Sequence, residues 1–188
     1  MCLMKQIRPN TRDAIIEAAF AVFAENPGAS LGDVAARAGV GRATLHRHFP
    51  GRLELMRALA KIAMAELDQA VEQVTANAQS YEEGFRLSLE AIVPLANRQW
   101  FLANEGLEVD EEVAKAYRES RLELCNDIEQ AKLEGLFDPS LPTSWIAETY
   151  ESLIYAAWSM VRSGEATPGQ AAGFAWQTFN NGLKGKTK

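Results

Sequence analysis

The sequence predicts an all-α protein of about nine helices, and three observations support this fold class. Apolar residues recur at spacings of three and four along most of the 188 residues. No segment shows the strict apolar–polar alternation of a half-buried strand. Glycines, prolines and capping residues divide the chain into helix-length segments. We place an N-terminal three-helix domain at residues 1–51 and a helical C-terminal domain at residues 52–188.

The first two helices each begin at a capping residue. Asn10 predicts the start of a helix over residues 11–26, which a proline–glycine pair ends. Ser30 is a good N-cap, and Asp33 stands where its carboxylate can return a hydrogen bond. A second helix is therefore expected over residues 31–38.

A third short helix, over residues 42–48, follows a glycine turn at Gly39. Its cationic and hydroxyl side chains are predicted to point outward, while Leu45 and Phe49 point inward. In a pair of short helices set at an angle, a second helix with such side chains fits the DNA major groove. The pattern indicates a DNA-binding regulator.

The rest of the chain is predicted to form six further segments of helix. Their expected ranges are 52–78, 80–97, 98–104, 110–135, 143–163 and 168–183. Pro94 marks a kink or an early stop within the second of these segments. The segment over residues 52–78 begins at the N-terminal domain, which we call the head, and ends in the C-terminal domain. We therefore expect it to connect the two domains rigidly.

The N-terminal motif resembles the helix-turn-helix of the TetR family of one-component transcriptional regulators. The resemblance rests on AGVGRATLHRHFPGR over residues 38–52 and on TRDAIIEAA over residues 11–19, and it covers about residues 11–60. Glycine, histidine and arginine stand at positions 41, 46 and 52, where serine, tyrosine and lysine are common in the family.

The resemblance implies which residues contact double-stranded DNA. They are Ser30, Gly41, Arg42, Ala43, Thr44, His46, Arg47, His48 and Arg52. Arg42 is the strongest candidate for a base contact, because its guanidinium can pair bidentately with guanine. His48 and Arg52 are expected to bind phosphates.

The C-terminal domain is expected to form a homodimer. The segment over residues 143–163 is apolar around most of its circumference, so it must be covered on every side. The final segment is rich in glycine and alanine, which allow helices to approach closely. In agreement with the family, we expect an interface at Leu153, Ala157, Met160, Gly169, Gly173 and Trp176.

The resemblance also implies a pocket for a small-molecule effector. Its candidate lining residues are Phe85, Leu89, Trp100, Phe101, Tyr117, Arg121, Leu124 and Trp145. Glu105, Arg121 and Asn97 are candidate polar anchors. The alternative is that these aromatic residues belong to an ordinary core.

The net charge of −6 divides unevenly along the chain. Residues 1–60 hold eight lysines and arginines against five acidic residues, whereas residues 61–188 hold eleven against twenty. The head is therefore positive and the remainder strongly negative. Because phosphate binding requires only a locally positive surface, DNA contact is expected at the head alone.

Other function classes find little support. The two cysteines are far apart, and His46 and His48 are spaced two apart on a helix, where side chains diverge, so we expect no metal or cofactor. No catalytic set, signal peptide or membrane span is predicted, and we expect a cytoplasmic protein.

Three functions remain for comparison. The leading hypothesis is a homodimeric repressor that binds a palindromic operator and is released by a small, largely apolar molecule. The alternative is a helical dimeric interaction protein without useful DNA binding or ligand response. An enzyme is a distant third.

Overall fold

A computed structural model describes residues 10–106 and 111–184 of the chain. Within these ranges it contains nine α-helices and no strand beyond one isolated bridge between Phe137 and Lys184. The helices are α1 Thr11–Glu25, α2 Leu31–Arg37, α3 Arg42–His48, α4 Arg52–Thr75, α5 Tyr81–Ile92, α6 Ala96–Phe101, α7 Glu111–Leu133, α8 Thr143–Ser163 and α9 Pro168–Leu183. The all-α prediction is confirmed. The predicted start of the seventh helix at residue 110 lies outside the described residues.

Local capping explains where several helices begin. The Ser30 side chain accepts a hydrogen bond from the Asp33 amide at 3.2 Å, and the Asp33 carboxylate accepts one from the Ser30 amide at 2.7 Å. This is the expected reciprocal cap of α2. Thr167 and Gln170 form a second such cap at the start of α9.

The segment predicted over residues 80–97 is divided in the structure. Helix α5 ends at Ile92, a 3₁₀ turn spans Val93–Leu95, and α6 starts at Ala96. Pro94 explains the break, since it lacks an amide hydrogen and cannot continue the α-helical hydrogen bonding. A π-helical turn, Leu102–Gly106, follows α6.

Two apolar clusters form the core. The first joins α1–α3 to α4 as far as Leu67, and it also contains Phe101, Leu102 and Val113. Phe20, Phe23, Leu45 and Leu55 lie within it, each no more than 1% exposed. The second joins α5, α7, α8 and α9, and its aromatic centre is formed by Phe85, Phe137, Tyr150 and Phe179.

Helix α4 belongs to both parts of the molecule. Leu55, Met56 and Leu59 near its start are buried in the first cluster. Asp68 and Val71, further along, line a cavity of the C-terminal part. A single continuous helix of 24 residues therefore connects the head to that cavity.

Candidate nucleic-acid interface and small-molecule cavity

A glycine turn sets the angle between α2 and α3. Gly39 has a φ of 67°, in the left-handed region that favours glycine. The Val40 amide then donates to the Ala35 carbonyl at 3.0 Å and closes the turn. Leu45 and Phe49 are buried, at 1% and 3% exposure, and anchor α3 against the head core.

The outer face of α3 carries most of the predicted DNA-contacting residues. Gly41, Arg42, Ala43, His46, Arg47 and His48 are exposed, and Thr44 is half-buried. Gly41 occupies the N-cap without a side-chain hydrogen bond, so the first amides of α3 have no side-chain partner there. This end of the helix favours an anion such as a phosphate.

Arg42 lies over the N-terminus of α2. A Cβ added to Gly32 would lie 3.1 Å from an Nη atom of Arg42, so the glycine leaves room for the guanidinium. Hydrogen bonds from Ser30 lower the pKa of the Asp33 carboxyl, and the charge of Arg42 acts in the same direction. Gly32 was missed by the sequence analysis, because its partner lies on the next helix.

Four other predicted residues make contacts within the head. An Arg47 Nη atom donates to the Thr44 hydroxyl at 3.2 Å, and the His46 ring lies 3.4 Å from the Pro50 carbonyl. The Ser30 hydroxyl donates to the Asp33 carboxylate at 2.7 Å. These contacts hold the side chains near the surface that α3 presents.

The structure places Arg52 differently from the sequence-based prediction of a phosphate contact. Its guanidinium donates to the carbonyls of Ala29 and Pro27, and it stacks 4.6 Å from the centroid of the Phe23 ring. The side chain thereby fastens the start of α4 to the loop between α1 and α2. Nothing in the sequence indicated these partners, because the carbonyls lie more than twenty residues earlier in the chain.

A cavity of about 900 Å³ lies among α4, α5, α7 and α8. Four residues proposed as its lining do line it: Phe85, Tyr117, Arg121 and Leu124. Met64, Leu67 and Ile154 add apolar surface. The volume is within the range of small-molecule binding sites.

Four other proposed lining residues lie elsewhere. Leu89 is fully buried in the second cluster, and Phe101 packs edge-on against Phe20 in the first. Trp100 stacks on Trp158 at 5.9 Å between ring centroids, while Trp145 is 58% exposed. Aromatic character alone did not distinguish cavity, core and surface, because that choice depends on packing between distant segments.

Of the candidate polar anchors, Arg121 lines the cavity and Asn97 does not. Arg121 binds the carboxylates of Glu148 and Glu151 on α8. The Asn97 side chain accepts a hydrogen bond from Arg98 and is not part of the cavity wall. The side chain of Glu105 lies outside the described part of the structure. Burial raises the pKa of Tyr117, and the charge of Glu151 reinforces that shift.

The sequence analysis missed the acidic wall of the cavity. Asp68 and Glu72 on α4 and Glu123 and Asp127 on α7 all line it. Burial raises the pKa of both aspartates, and the nearby charge of Glu123 raises each further. The signal available in the sequence was a pair of acidic residues four positions apart on each of two helices.

The predicted dimer residues are only partly exposed in one protomer. Ala157 is 4% exposed and belongs to the protomer's own core, so its placement at an interface is corrected. Leu153, Met160 and Trp176 are half-buried, whereas Gly169 and Gly173 are exposed. Tyr155 and Phe174, which the sequence analysis did not select, are each 53% exposed on α8 and α9.

One buried arginine joins the head to the C-terminal part. Arg98 on α6 is 7% exposed. It binds Glu17 of α1 and, at 2.8 Å, Glu66 of α4, and its guanidinium lies 4.4 Å from the centroid of the Phe20 ring. Three helices therefore meet at this side chain.

Two kinds of feature are absent from the described residues. None of their helices combines the length and the apolar character that a membrane span requires. Among the same residues, no group of three or more histidines, cysteines and acidic side chains is placed to hold a metal ion.

A helix-turn-helix head on a helical domain with a cavity defines a DNA-binding transcriptional regulator. Residues 15–59 match the family model described as bacterial regulatory proteins, tetR family. The chain is 31% identical over 158 residues to the HTH-type transcriptional repressor LfrR of Mycolicibacterium smegmatis, covering 84% of this chain and 82% of that protein. The chain belongs to the TetR family.

Solved structures agree with this assignment. The TetR-like regulator LfrR from Mycobacterium smegmatis in complex with proflavine is 28% identical, with a TM-score of 0.74 over 92% of this chain and 96% of that one. The ketosteroid regulator KstR2 of Mycobacterium tuberculosis is 19% identical, with a TM-score of 0.75 over 95% and 97% of the two chains. This second likeness shows the fold.

Proposed function

We propose that this regulator is a cytoplasmic repressor, without catalytic activity, that binds a palindromic operator as a homodimer. A small molecule that enters the cavity releases it from DNA. The head and the C-terminal domain divide these tasks at about residue 51. No cofactor is needed in this scheme.

The continuity of α4 is the observation that carries the proposal. Its first residues pack in the core that holds α3, and Asp68 and Val71 on the same helix line the cavity. A ligand that shifts the cavity end of α4 would therefore move α3. Release requires that the ligand bind the protein with different affinity before and after this shift of α4.

The exposed face of α3 supports roles for individual residues at the operator. Arg42, at the first helical position, reads a base, and Arg47 and His48 bind phosphates. One α3 makes too few contacts for specific affinity. The two copies in a dimer would have to lie about 34–36 Å apart, one turn of DNA.

The exposed faces of α8 and α9 support the homodimer. Tyr155 and Phe174 leave large apolar surfaces uncovered, and Gly169 and Gly173 offer room for close approach. A Cβ added at either glycine would meet nothing within 4 Å in the protomer. A second copy packed on this face would form a four-helix arrangement about a two-fold axis.

The cavity supports the ligand response. It is of suitable volume, it combines aromatic and polar lining, and it adjoins the helix that carries the head. The proflavine complex of LfrR is of a relative with the same fold, which is consistent with a small-molecule effector here.

Genome-wide mapping of bound DNA tests the proposal. We expect a few sharp sites with two-fold symmetry, and an increase in transcription of the adjacent genes when this chain is deleted. Absence of any such site would overturn the proposal and favour a dimeric interaction protein. Sites whose genes fall in transcription on deletion would show an activator.

A further inference from the structure

Helices α4 and α7 each contribute two acidic residues to the wall of the cavity. Asp68 and Glu72 stand on α4, and Glu123 and Asp127 stand on α7. Glu123 acts electrostatically on both aspartates, one on each helix, so the two acidic walls are close together. All four residues are exposed, so water and salt screen their mutual repulsion without removing it.

The described lining residues offer little positive charge to balance these groups. Arg121 is the one lysine or arginine among them. It is committed to Glu148 and Glu151 of α8, which carry together one more negative charge than it neutralises. Within the described residues, the four carboxylates of α4 and α7 form no ion pair with a basic side chain.

Apolar and aromatic side chains also line the cavity, together with uncharged polar ones such as Ser88 and Gln99. Phe85, Tyr117 and Leu124 contribute, with Leu67 and Ile154 beside them. Such a surface binds the apolar body of a ligand, and aromatic faces also attract a positive charge. The cavity thus combines an aromatic floor with an uncompensated acidic rim.

We propose that the effector of this regulator is an amphipathic cation, an aromatic molecule with a positive charge that sits between the carboxylates of α4 and α7. The inference rests on the proposed function and specifies the ligand class of the same cavity. A cation there replaces repulsion between the two helices by attraction to both. It draws α4 toward α7, and the head moves with α4.

Two ions of matched size and shape test the proposal on the full chain. Tetraphenylphosphonium is a cation, and tetraphenylborate is an anion with the same four rings. Isothermal titration calorimetry should show binding of the cation, weakened by added salt, and at least about tenfold weaker binding of the anion.

Paired variants locate the charge that matters. Asp68→Asn combined with Asp127→Asn should weaken binding of tetraphenylphosphonium about tenfold or more, because two carboxylates lose their charge. Glu119→Gln is the matched control, since Glu119 lies on α7 but outside the cavity wall and pairs with Lys115. It should leave the affinity unchanged.

Three results would overturn the inference: equal binding of both ions, failure of the cation to bind, or unchanged affinity in the double variant. A shift assay on the operator without any ligand separates this outcome from failure of the proposed function. A chain that binds its operator but not the cation refutes only the ligand class. A chain that binds no operator refutes the repressor itself.

Discussion

The guanidinium of Arg98 binds the carboxylate of Glu17 and so joins α6 to the first helix of the head. The same guanidinium binds Glu66 on α4 at 2.8 Å. Because α6 is preceded by the break at Pro94 and adjoins the cavity through Gln99, Arg98 is placed to connect the two parts of the molecule.

Replacement of Arg98 by methionine should lower the free energy of unfolding by about 1–3 kcal/mol, because charge-assisted hydrogen bonds are lost. The loss is limited because Glu17 and Glu66 are 59% and 38% exposed and regain water. Urea unfolding measures it. Arg86→Met, which removes an exposed pair with Glu90, is the control and should cost less than about 0.5 kcal/mol. Equal losses for the two variants would contradict the structural role of Arg98.

Replacement of Arg42 by alanine should weaken operator binding by about 1–3 kcal/mol and relax preference at one position in each half-site. The reason is its exposed position at the start of α3, where a guanidinium can reach a base edge. Arg47→Ala is the comparison, and it should weaken all sequences alike and reduce the salt dependence. Selection from a randomised operator distinguishes the two. Identical, sequence-independent losses would show that Arg42 binds a phosphate.

Replacement of Arg52 by alanine should destabilise the head instead of removing a phosphate contact. Two hydrogen bonds from a charged donor and the stacking on Phe23 are lost, which is worth about 2–4 kcal/mol. Thermal unfolding measures the change. The slope of operator affinity against salt, measured below the transition, should stay as in the parent chain. If Arg52→Ala kept full stability but showed a shallower salt dependence, Arg52 would be a phosphate contact after all.

The fold was predictable where its determinants are local. The reciprocal cap of Ser30 and Asp33 and the turn at Gly39 depend on residues within a few positions of one another. Helical spacing of apolar residues similarly predicted a long helix where α4 forms. These signals need no knowledge of the partner segments, so the helices and the helix-turn-helix followed from the sequence.

The site was less predictable, because its residues are brought together over long separations. Arg52 finds its carbonyl partners 23 and 25 positions away, and Arg98 finds Glu17 81 positions away. Ala157 and Tyr155 are neighbours on an apolar helix, yet one is buried in the protomer and the other is exposed. Only the packing of α8 against α6, α7 and α9 decides which side faces inward.

Replacement of Gly173 by glutamate should dissociate the dimer without unfolding the protomer. The added side chain meets no atom within 4 Å of its Cβ in one protomer, but it would place a charge in the face expected to meet a second copy. Sedimentation should show a monomer with an unchanged helical circular dichroism spectrum. Ala157→Glu should instead unfold the chain, since that site is 4% exposed within the protomer.

An exposed residue outside α8 and α9 provides the control for Gly173→Glu. Leu133→Glu alters a residue of α7 that is 80% exposed, and it should leave the dimer intact because the proposed interface is formed by α8 and α9. The Gly173→Glu monomer should bind a full palindrome much more weakly than the parent chain, because only one α3 engages at a time. Tight binding by that monomer would refute the dimeric arrangement.

Binding of tetraphenylphosphonium should weaken as the pH falls, from a higher pH than ordinary aspartates would require. Burial raises the pKa of Asp68 and Asp127, and Glu123 raises both further, so these carboxyls take up protons early on acidification and lose the charge that attracts the cation. Glu72, Glu134 and Glu151 also line the cavity, and Arg121 pairs with Glu151. Calorimetric titrations between about pH 4.5 and 8 measure the effect, over a range that lies above the ordinary aspartate pKa, so that a loss of affinity there reports the raised values. The Asp68→Asn/Asp127→Asn variant should show a flatter profile, and Glu119→Gln should reproduce the parent profile. An affinity that rises on acidification would mean that these carboxylates do not hold the cation.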